Sequence, residues 1–541
     1  MVYYWNGVNS KGSIYCGKED RSIMSLRTEV YGLLDKTKRL CSGISDAQAL
    51  VEMLTELRNR LEQPLRVAIV GEVKAGKSTF MNALMQANIV FTGTEEKTFT
   101  VCWFRYAKTP SLTVHFREGQ CLDAPFEDLE KWSVRDASNK RLNEVAYVVI
   151  HYPSEVLKTI EFIDTPGLNS AYGTDAQNTM DFLSLRGSEE TLHEAGKADA
   201  VIFAFARTLT DMNRKTLLQF HGNEKSGTSP INSIGIFTRL DGGGAWDVEE
   251  DRVNPVEKAK PRTVNFMRKM EIKRLLYSIL PICAKPAEGY YQLHAQDWQV
   301  LKRIAQKDRE ELQELLIDAS EFKRSVEKEY MEYGTTEERG SVMDKLASYG
   351  ILEITDQLRS GKSEEEIGDI LQKNCGIDDV RQLVNQHFGN RTFLIKTKYI
   401  FNQLYRIVHK IQYDTNSSAE LKEIGNYIRD EMERMTSSVQ TLRELTALQM
   451  YYNRELEELT EEEQNDLLRV TGEYGRLPEQ RLQVAEGTSI TDMAAIAQKK
   501  AVLWNGKATD WLMSAAYIEV CSIVARSYEN MYYHLNALIE E

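Results

Sequence analysis

The chain has few residues that could cross-link it. Its seven cysteines among 541 residues are scattered, without a C-x-x-C pair, at positions 16, 41, 102, 121, 283, 375 and 521. This spacing excludes a disulfide framework or a zinc ribbon and indicates reduced thiols. Residues 1–11 are polar and aromatic without an apolar core, so we expect no signal peptide.

The sequence also has no apolar run long enough to span a bilayer. The longest run, residues 511–525, is interrupted by Glu519. It is shorter than the about 20 residues that a transmembrane helix needs. We interpret it as a buried helix of a bundle, with membrane contact as the alternative. We therefore expect a cytoplasmic protein without a transmembrane helix, and the surface of the cytoplasmic membrane is a further candidate location.

Basic residues are too few for a nucleic-acid-binding surface. The 67 Lys and Arg residues are outnumbered by 81 Asp and Glu residues, which gives a formal net charge of −14. Binding to a phosphate backbone needs clustered positive charge. We therefore expect no nucleic acid as a partner. The length and the 42% hydrophobic content are sufficient for three or four domain-sized units.

The most informative motif in the chain is a glycine-rich loop. Residues 71–78 read G-E-V-K-A-G-K-S and fit G-x-x-x-x-G-K-[ST], between an apolar run and a helical pattern. Backbone N–H groups of such a loop bind phosphates, and the helix N-terminus adds partial positive charge. Lys77 is predicted to reach the β- and γ-phosphates, and Ser78 to ligate Mg²⁺. The predicted nucleotide-binding residues of this segment are Gly71, Glu72, Val73, Lys74, Ala75, Gly76, Lys77, Ser78 and Thr79.

A second motif predicts that the base is guanine. The sequence T-R-L-D at residues 238–241 follows an apolar strand and resembles the [NT]-K-x-D motif of GTPases. Asp241 is expected to accept hydrogen bonds from guanine N1–H and the exocyclic amine, whereas adenine would leave this carboxylate unpaired. Thr238 and Arg239 are included in the predicted site. Arg239 stands where GTPases usually have Lys, and we expect this to change affinity rather than specificity.

Two shorter motifs complete the predicted site. The sequence P-I-C-A-K at residues 281–285 resembles the fifth GTPase motif, in which the N–H of Ala284 points to guanine O6 and Lys285 follows it. Between the other motifs, the β-rich run 159–163 leads into D-T-P-G. In GTPases this Asp, here Asp164, holds Mg²⁺ through a water, and the glycine N–H, here of Gly167, contacts the γ-phosphate.

Over about residues 64–396 these motifs and their neighbours resemble the dynamin superfamily, and in particular its bacterial branch. The sequence N-A-L at 82–84 follows the phosphate loop, and F-T-G-T-E-E-K-T-F-T at 91–100 contains a T-G followed by threonines of a switch I. The segment 164–170 is also similar to this branch. The resemblance implies Mg²⁺-dependent hydrolysis of GTP, nucleotide-dependent dimerisation, and N-terminal helices that pair with C-terminal ones as a neck and stalk.

The resemblance also implies two catalytic residues. Thr98 is predicted to be the switch-I threonine that binds the metal with Ser78 and Asp164. Thr100 is the alternative, because Lys97 stands where relatives usually have Pro. Lys74 occupies the position at which guanylate-binding relatives and atlastins carry an Arg and dynamin carries a Ser. Lys74 is therefore predicted to supply positive charge to the transition state, and the alternative is a lysine that points to solvent.

The predicted fold is an α/β P-loop GTPase domain, with a mostly parallel sheet covered by helices on both faces, plus an all-α helical bundle as neck and stalk. The predicted strands span residues 66–70, 101–106, 112–116, 145–152, 159–163, 200–206, 234–238 and 279–283. The predicted domains are N-terminal helices at 1–63, a dynamin-type GTPase domain at 64–295, its helical extension at 296–396, and a stalk at 397–541. Residues 1–62 are expected to cover the apolar stripe at residues 517–538.

The sequence thus predicts a dynamin-like GTPase that dimerises or oligomerises with nucleotide and moves a helical stalk, in membrane remodelling or vesicle-related processes. Its expected partners are GTP and GDP, further copies of itself, and a lipid membrane or a second dynamin-like subunit. One alternative is a scaffold whose assembly GTP controls without membrane remodelling. A translation-associated regulatory GTPase is the other alternative, and the lack of a basic domain argues against it.

Overall fold

The computed structural model describes residues 21–90, 100–134, 140–166, 198–211, 213–215, 217, 230–241, 246–248, 254–452, 456, 458–475 and 477–540. These residues form two compact units. The first comprises the described parts of Met1–Gln63 and Phe393–Glu541, and the second those of Pro64–Thr392. The finer division into four domains stays a prediction.

The unit Pro64–Thr392 contains a nine-stranded sheet in its described residues. The strand order is β4-β3-β5-β2-β6-β1-β7-β8-β9. In chain order the strands are β1 (Leu65–Gly71), β2 (Val101–Tyr106), β3 (Ser111–Phe116), β4 (Cys121–Ala124), β5 (Val145–Tyr152), β6 (Ile160–Asp164), β7 (Ala200–Phe205), β8 (Ser233–Phe237) and β9 (Ile279–Pro281).

The prediction of a mostly parallel sheet is confirmed. β1 pairs in parallel with β6 and β7, β7 with β8, β8 with β9, and β2 with β5. The antiparallel pairs are β2 with β6, β3 with β4 and β3 with β5. β6 and β7 are buried along their whole length and β1 at every residue except Arg66, as strands covered on both faces require. These strands end at one edge of the sheet, where α/β proteins bind ligands.

β4 is absent from the sequence prediction. It has only four residues, and they are largely exposed although three of them are apolar. Among the described residues they pair with β3 alone, at the edge of the sheet. Such a strand has no alternation of buried and exposed side chains to reveal it.

The described α-helices of this unit lie between and after the strands. They are Lys77–Met85, Leu129–Ser133, Pro255–Met267, Met270–Lys273, Ala284–Tyr290, Ala295–Ile304, Arg309–Leu315, Ala319–Arg324, Lys328–Met331, Thr336–Arg359, Glu364–Asn374 and Ile377–Leu383. Short 3₁₀ helices occupy Phe126–Asp128, Lys140–Glu144, Glu155–Lys158 and Pro230–Asn232, and a π-helix occupies Val384–Gly389.

The other unit is helical in its described residues. Its helices are Arg21–Leu40, Ser45–Ala47 (3₁₀), Gln48–Glu62, the later part of Asn390–Tyr413, Ala419–Ser438, Gln440–Tyr452, Glu461–Val470, Pro478–Leu482, Ile490–Ala508 and Ala515–Glu540. The two N-terminal helices share a core with residues 393–442, to which Leu33, Leu54, Leu404, Ile428 and Met432 belong. The predicted packing of N-terminal against C-terminal helices is therefore confirmed.

The prediction that residues 1–62 cover the apolar stripe at residues 517–538 is wrong. Helix Ala515–Glu540, which carries this stripe, packs mainly on Ile490–Ala508 and also on Gln440–Tyr452. The N-terminal helices instead cover the apolar faces of residues 400–411 and 421–442. Several stripes of this chain have the same spacing, and spacing alone does not choose between helical partners.

The apolar run 511–525 divides into two parts. From Ala515 onwards it belongs to a helix, and Tyr517, Val520 and Cys521 are buried there, as the prediction of a bundle helix requires. Trp511 is 83% exposed and Leu512 is 74% exposed, in the turn before this helix. In the described residues no helix is both long enough and apolar enough to cross a membrane.

Candidate nucleotide-binding site

The predicted phosphate loop joins the end of β1 to the helix Lys77–Met85, and two glycines shape it. A Cβ on Gly71 would lie 2.1 Å from the carbonyl oxygen of Ala204 on β7, so only glycine fits there. Gly76 has a φ of 81°, in the left-handed region, and directly precedes the helix. The loop therefore follows a buried strand closely and presents the first turn of a helix, which is a favourable place for an anion.

Two lysines of this loop occupy different environments. The Lys77 side chain is buried, and its Nζ donates to the carbonyl oxygens of Gly71 at 3.2 Å and Glu72 at 3.0 Å. This places its positive charge within the loop. Lys74 is exposed and has a left-handed φ of 61°, which is unusual for a residue with a Cβ.

Ser78 and Asp164 form a pair of oxygen ligands beside the loop. The Ser78 hydroxyl donates to Oδ2 of Asp164 at 3.1 Å. Oδ1 of Asp164 is buried without a hydrogen-bond partner among the described residues. Burial raises the pKa of Asp164 to about 6, although the Lys77 charge and the Ser78 hydroxyl act in the opposite direction. A hydroxyl beside a carboxylate with an unpaired oxygen fits Mg²⁺, which prefers hard oxygen ligands.

Asp164 is held in position by the neighbouring strands. It ends β6, where it lies opposite Ile69 of β1 and Cys102 of β2. The hydroxyl of Thr165 then donates to the carbonyl oxygen of Ile69 at 2.7 Å. The backbone that follows β6 is therefore fixed to the strand that leads into the phosphate loop.

Thr238 ties the predicted base-binding segment to the phosphate loop. Its hydroxyl donates to the carbonyl oxygen of Ala75 at 2.6 Å, and its N–H donates to the carbonyl oxygen of Phe205 at 3.0 Å. The side chain is buried. The motif indicated that Thr238 belongs to the site, but its contact with the loop carbonyl could not be derived from the sequence.

The charged residues predicted at the base lie near one another. Burial raises the pKa of Asp241, and the positive charges of Arg239 and Lys285 act in the opposite direction. Arg239 is exposed and has a left-handed φ of 56°. Ala284 begins the helix Ala284–Tyr290, so its N–H belongs to a helix N-terminus.

Glu288 is a residue of this region that the motifs do not include. It is fully buried, accepts a hydrogen bond from Nδ2 of Asn82 at 2.9 Å, and forms an ion pair with Lys285 at 3.2 Å. Its position three residues after Lys285, on one helix face, is the only sequence signal for it.

Two predicted site residues, Thr98 and Gly167, lie outside the described residues. Thr100, the alternative to Thr98, is described and is 2% exposed. Its Oγ1 has no hydrogen-bond partner among the described residues. The choice between the two threonines stays a prediction.

The fold and this loop define a P-loop nucleotide-binding protein of the GTPase type. The sequence model of the dynamin family matches residues 67–240, which include the phosphate loop, Asp164 and Thr238. Residues 67–240 of this chain therefore form a GTPase domain of the dynamin family. The resemblance predicted from the sequence is therefore confirmed.

Individual relatives extend this similarity to most of the chain. The isoniazid-induced protein IniC of Mycobacterium tuberculosis is 24% identical over 481 residues, which cover 88% of this chain and 92% of that protein. The bacterial dynamin-like protein of Nostoc punctiforme is 33% identical over 153 residues, or 26% of this chain and 21% of that protein. A solved structure of an oligomerised bacterial dynamin pair matches with 13% identity and a TM-score of 0.34, covering 94% of this chain and 91% of that chain.

Proposed function

We propose that this GTPase binds GTP with Mg²⁺, hydrolyses it to GDP and phosphate, assembles with further copies of itself, and acts at the cytoplasmic face of a lipid membrane. Self-assembly is carried over from the dynamin family. The membrane is the more specific part of the proposal, and it rests on the exposed side chains of Trp511 and Leu512.

For the nucleotide, the residues of the loop have separate tasks. The N–H groups that open the helix Lys77–Met85 bind phosphate oxygens, and Lys77 neutralises their charge. Ser78 and Asp164 would hold Mg²⁺, which would neutralise phosphate charge there. Thr98 or Thr100 would complete this site. Replacing Lys77 with Ala should therefore abolish most binding of a fluorescent GTP analogue.

For the base, Asp241 accepts the two donors of guanine and Ala284 donates to its O6. Arg239 lies at the surface beside Asp241, where its stem can cover the base. A site built around a carboxylate rejects adenine because that base leaves the carboxylate unpaired. Tight ATP binding that does not depend on Mg²⁺ would contradict this assignment.

For the membrane, the turn between the last two helices exposes apolar side chains. Trp511 and Leu512 are 83% and 74% exposed, and Val502 and Leu503 are 69% and 56% exposed on the helix before the turn. Four large apolar side chains within eleven residues are more than scattered surface residues provide. Trp is favoured at membrane interfaces because its ring is apolar and its N–H is polar. We therefore assign a lipid surface as the binding partner of this turn.

Flotation with liposomes of phosphatidylcholine and an anionic lipid tests the proposal. The unmodified protein should float, and the double variant Trp511→Ser, Leu512→Ser should float at least about tenfold less, because it lacks two apolar side chains that the lipid would bury. The control is Tyr413→Ser, which removes a side chain of the same unit that is 77% exposed. This control should float normally.

The same experiment separates the alternative functions. Flotation should be repeated without nucleotide, with GDP and with a non-hydrolysable GTP analogue. A protein that changes mass with GTP in light scattering but never floats is a GTP-controlled scaffold. A mass that is unchanged in every nucleotide state would contradict self-assembly.

A further inference from the structure

Glu288 uses both of its carboxylate oxygens in the interior of the unit Pro64–Thr392, hereafter the GTPase unit. Oε1 accepts a hydrogen bond from Nδ2 of Asn82 at 2.9 Å, and Oε2 accepts one from Nζ of Lys285 at 3.2 Å. Asn82 and Glu288 are both 0% exposed. A buried carboxylate is tolerated when it is paired and hydrogen-bonded, as Glu288 is.

The hydrogen bond between Asn82 and Glu288 joins the two helices that begin at opposite ends of the proposed nucleotide. Asn82 lies in helix Lys77–Met85, which begins at the phosphate loop, and Glu288 lies in helix Ala284–Tyr290, which begins at the base. Each residue is about one helical turn from the start of its helix. The bond therefore limits how far the phosphate-binding and base-binding ends can separate.

Asn82 also organises the chain that follows its helix. Its Oδ1 accepts from the N–H groups of Ile89 at 3.0 Å and Val90 at 2.7 Å, and its Nδ2 donates to the carbonyl oxygen of Val90 at 2.8 Å. The side-chain amide thus uses both donors and both acceptor positions. If Glu288 no longer accepts, Nδ2 of Asn82 keeps the carbonyl oxygen of Val90 and only a longer contact of 3.5 Å to Oδ1 of Asn88.

We propose that Glu288 is a positioning residue for nucleotide binding. It fixes the separation of the two helices through Asn82 and orients Lys285 beside Asp241, so that a ligand with both a phosphate chain and a guanine is bound tightly. This inference rests on the proposed assignment of Ala284 and Lys285 to the base.

The variant Glu288→Gln tests this role. Glutamine has nearly the same shape and keeps an oxygen for Asn82, but its amide group faces the ammonium of Lys285 as donor against donor. The Kd of fluorescent GTP and GDP analogues should rise about tenfold, as expected for losing a hydrogen bond to a charged group. KM should rise and kcat should change less than about twofold, because the reacting phosphate is at the other end of the ligand.

The matched control is Asp297→Asn. Asp297 is also buried and paired with a lysine, Lys345, at 2.6 Å, but it is not part of the predicted site. Both variants should lower Tm, and only Glu288→Gln should weaken nucleotide binding. If Glu288→Gln does not fold, Glu288→Asp can be used instead, because it keeps the charge on a shorter side chain. It should weaken GTP binding with a smaller loss of Tm than Glu288→Gln.

The outcomes separate this inference from the proposed function. If the unmodified protein prefers GTP to ATP and the Glu288 variants bind GTP as it does, Glu288 is only structural and the inference is overturned. If the unmodified protein has no preference for guanine, both the base assignment and the inference are overturned. A lower Tm with the same loss of nucleotide affinity in Asp297→Asn would also contradict the role of Glu288.

Discussion

The hydroxyl of Thr238 donates a hydrogen bond to the carbonyl oxygen of Ala75 at 2.6 Å. Thr238 follows β8, which leads to the predicted base-binding segment, and Ala75 lies in the phosphate loop. Both side chains are buried. One short bond thus connects the two segments that must act together on a nucleotide.

The isosteric variant Thr238→Val should weaken this connection. It leaves the carbonyl oxygen of Ala75 without its donor, so the free energy of unfolding of the GTPase unit should fall by about 1–3 kcal/mol. The affinity for GTP should decrease about tenfold because the loop loses a fixed point. Denaturant unfolding and equilibrium binding of a fluorescent GTP analogue measure the two effects. Thr238→Ser keeps the hydroxyl and should behave nearly as the unmodified protein does.

Asp241 provides a test of base recognition. In Asp241→Asn the amide presents a donor where guanine also presents donors, so GTP affinity should fall by at least about 100-fold, with two hydrogen bonds to a charged group lost. Xanthine carries a carbonyl in place of the exocyclic amine, so XTP should bind this variant better than GTP does. Competition with a fluorescent nucleotide gives both affinities. Equal loss for GTP and XTP would mean that the variant is merely misfolded.

Asp164 should make the nucleotide-free protein less stable at neutral pH than in mild acid. Its pKa is raised from 3.8 to about 6, so between these values the folded state binds more protons than the unfolded state. The contribution to the free energy of unfolding is therefore complete below pH 3.8 and is lost as the pH rises through about 6. The shift corresponds to about 3 kcal/mol at most.

The variant Asp164→Asn isolates this effect from other titrating groups. In thermal unfolding with EDTA at pH 7.5, Asp164→Asn should have a higher Tm than the unmodified protein. At pH 5 the difference in Tm between the two proteins should be smaller. The same variant should lose Mg²⁺-dependent GTP hydrolysis, because the neutral amide is a poor ligand for the metal. An equal Tm difference at both pH values would rule out titration of Asp164 as the cause.

The features that could be predicted from the sequence are those set by residues close together in the chain. The eight predicted strands are present because each is a dense apolar or β-branched run, whereas β4 has only four residues and is largely exposed at the sheet edge. The phosphate loop could be predicted because its glycines and lysine have fixed spacing. The roles of Thr238 and Glu288 depend on contacts with residues that are distant in the chain. Thr238 lies 163 positions from Ala75, and Glu288 lies 206 positions from Asn82. No local pattern contains those contacts.

Leu54 should show that the N-terminal helices stabilise the helical unit. It is 1% exposed and belongs to the core shared with residues 393–442. Leu54→Ala should lower the free energy of unfolding of this unit by about 2–5 kcal/mol, the usual cost of a cavity in a packed core. Asn59→Ala, on the exposed side of the same helix, is the control. A Leu54→Ala variant as stable as this control would contradict the shared core.

Lys74 is the residue with the most direct predicted effect on the chemical step. Negative charge builds on the bridging oxygen between the β- and γ-phosphates as the bond breaks, and a nearby cation stabilises it. Lys74 is exposed, so its ammonium is free to turn towards a bound nucleotide. Lys74→Ala should lower kcat by about one to three orders of magnitude, with little change in GTP affinity.

The left-handed backbone of Lys74 decides which controls are useful. Alanine has a Cβ, as lysine does, so Lys74→Ala removes the charge without changing the strain at a φ of 61°. Lys74→Gly removes both, and the two variants should lose the same activity if only the charge matters. Lys74→Arg should retain most of the activity, and replacing K⁺ with choline should leave the unmodified protein nearly unchanged. If Lys74→Ala hydrolyses GTP normally in a single-turnover assay, Lys74 is a surface lysine and the charge comes from elsewhere.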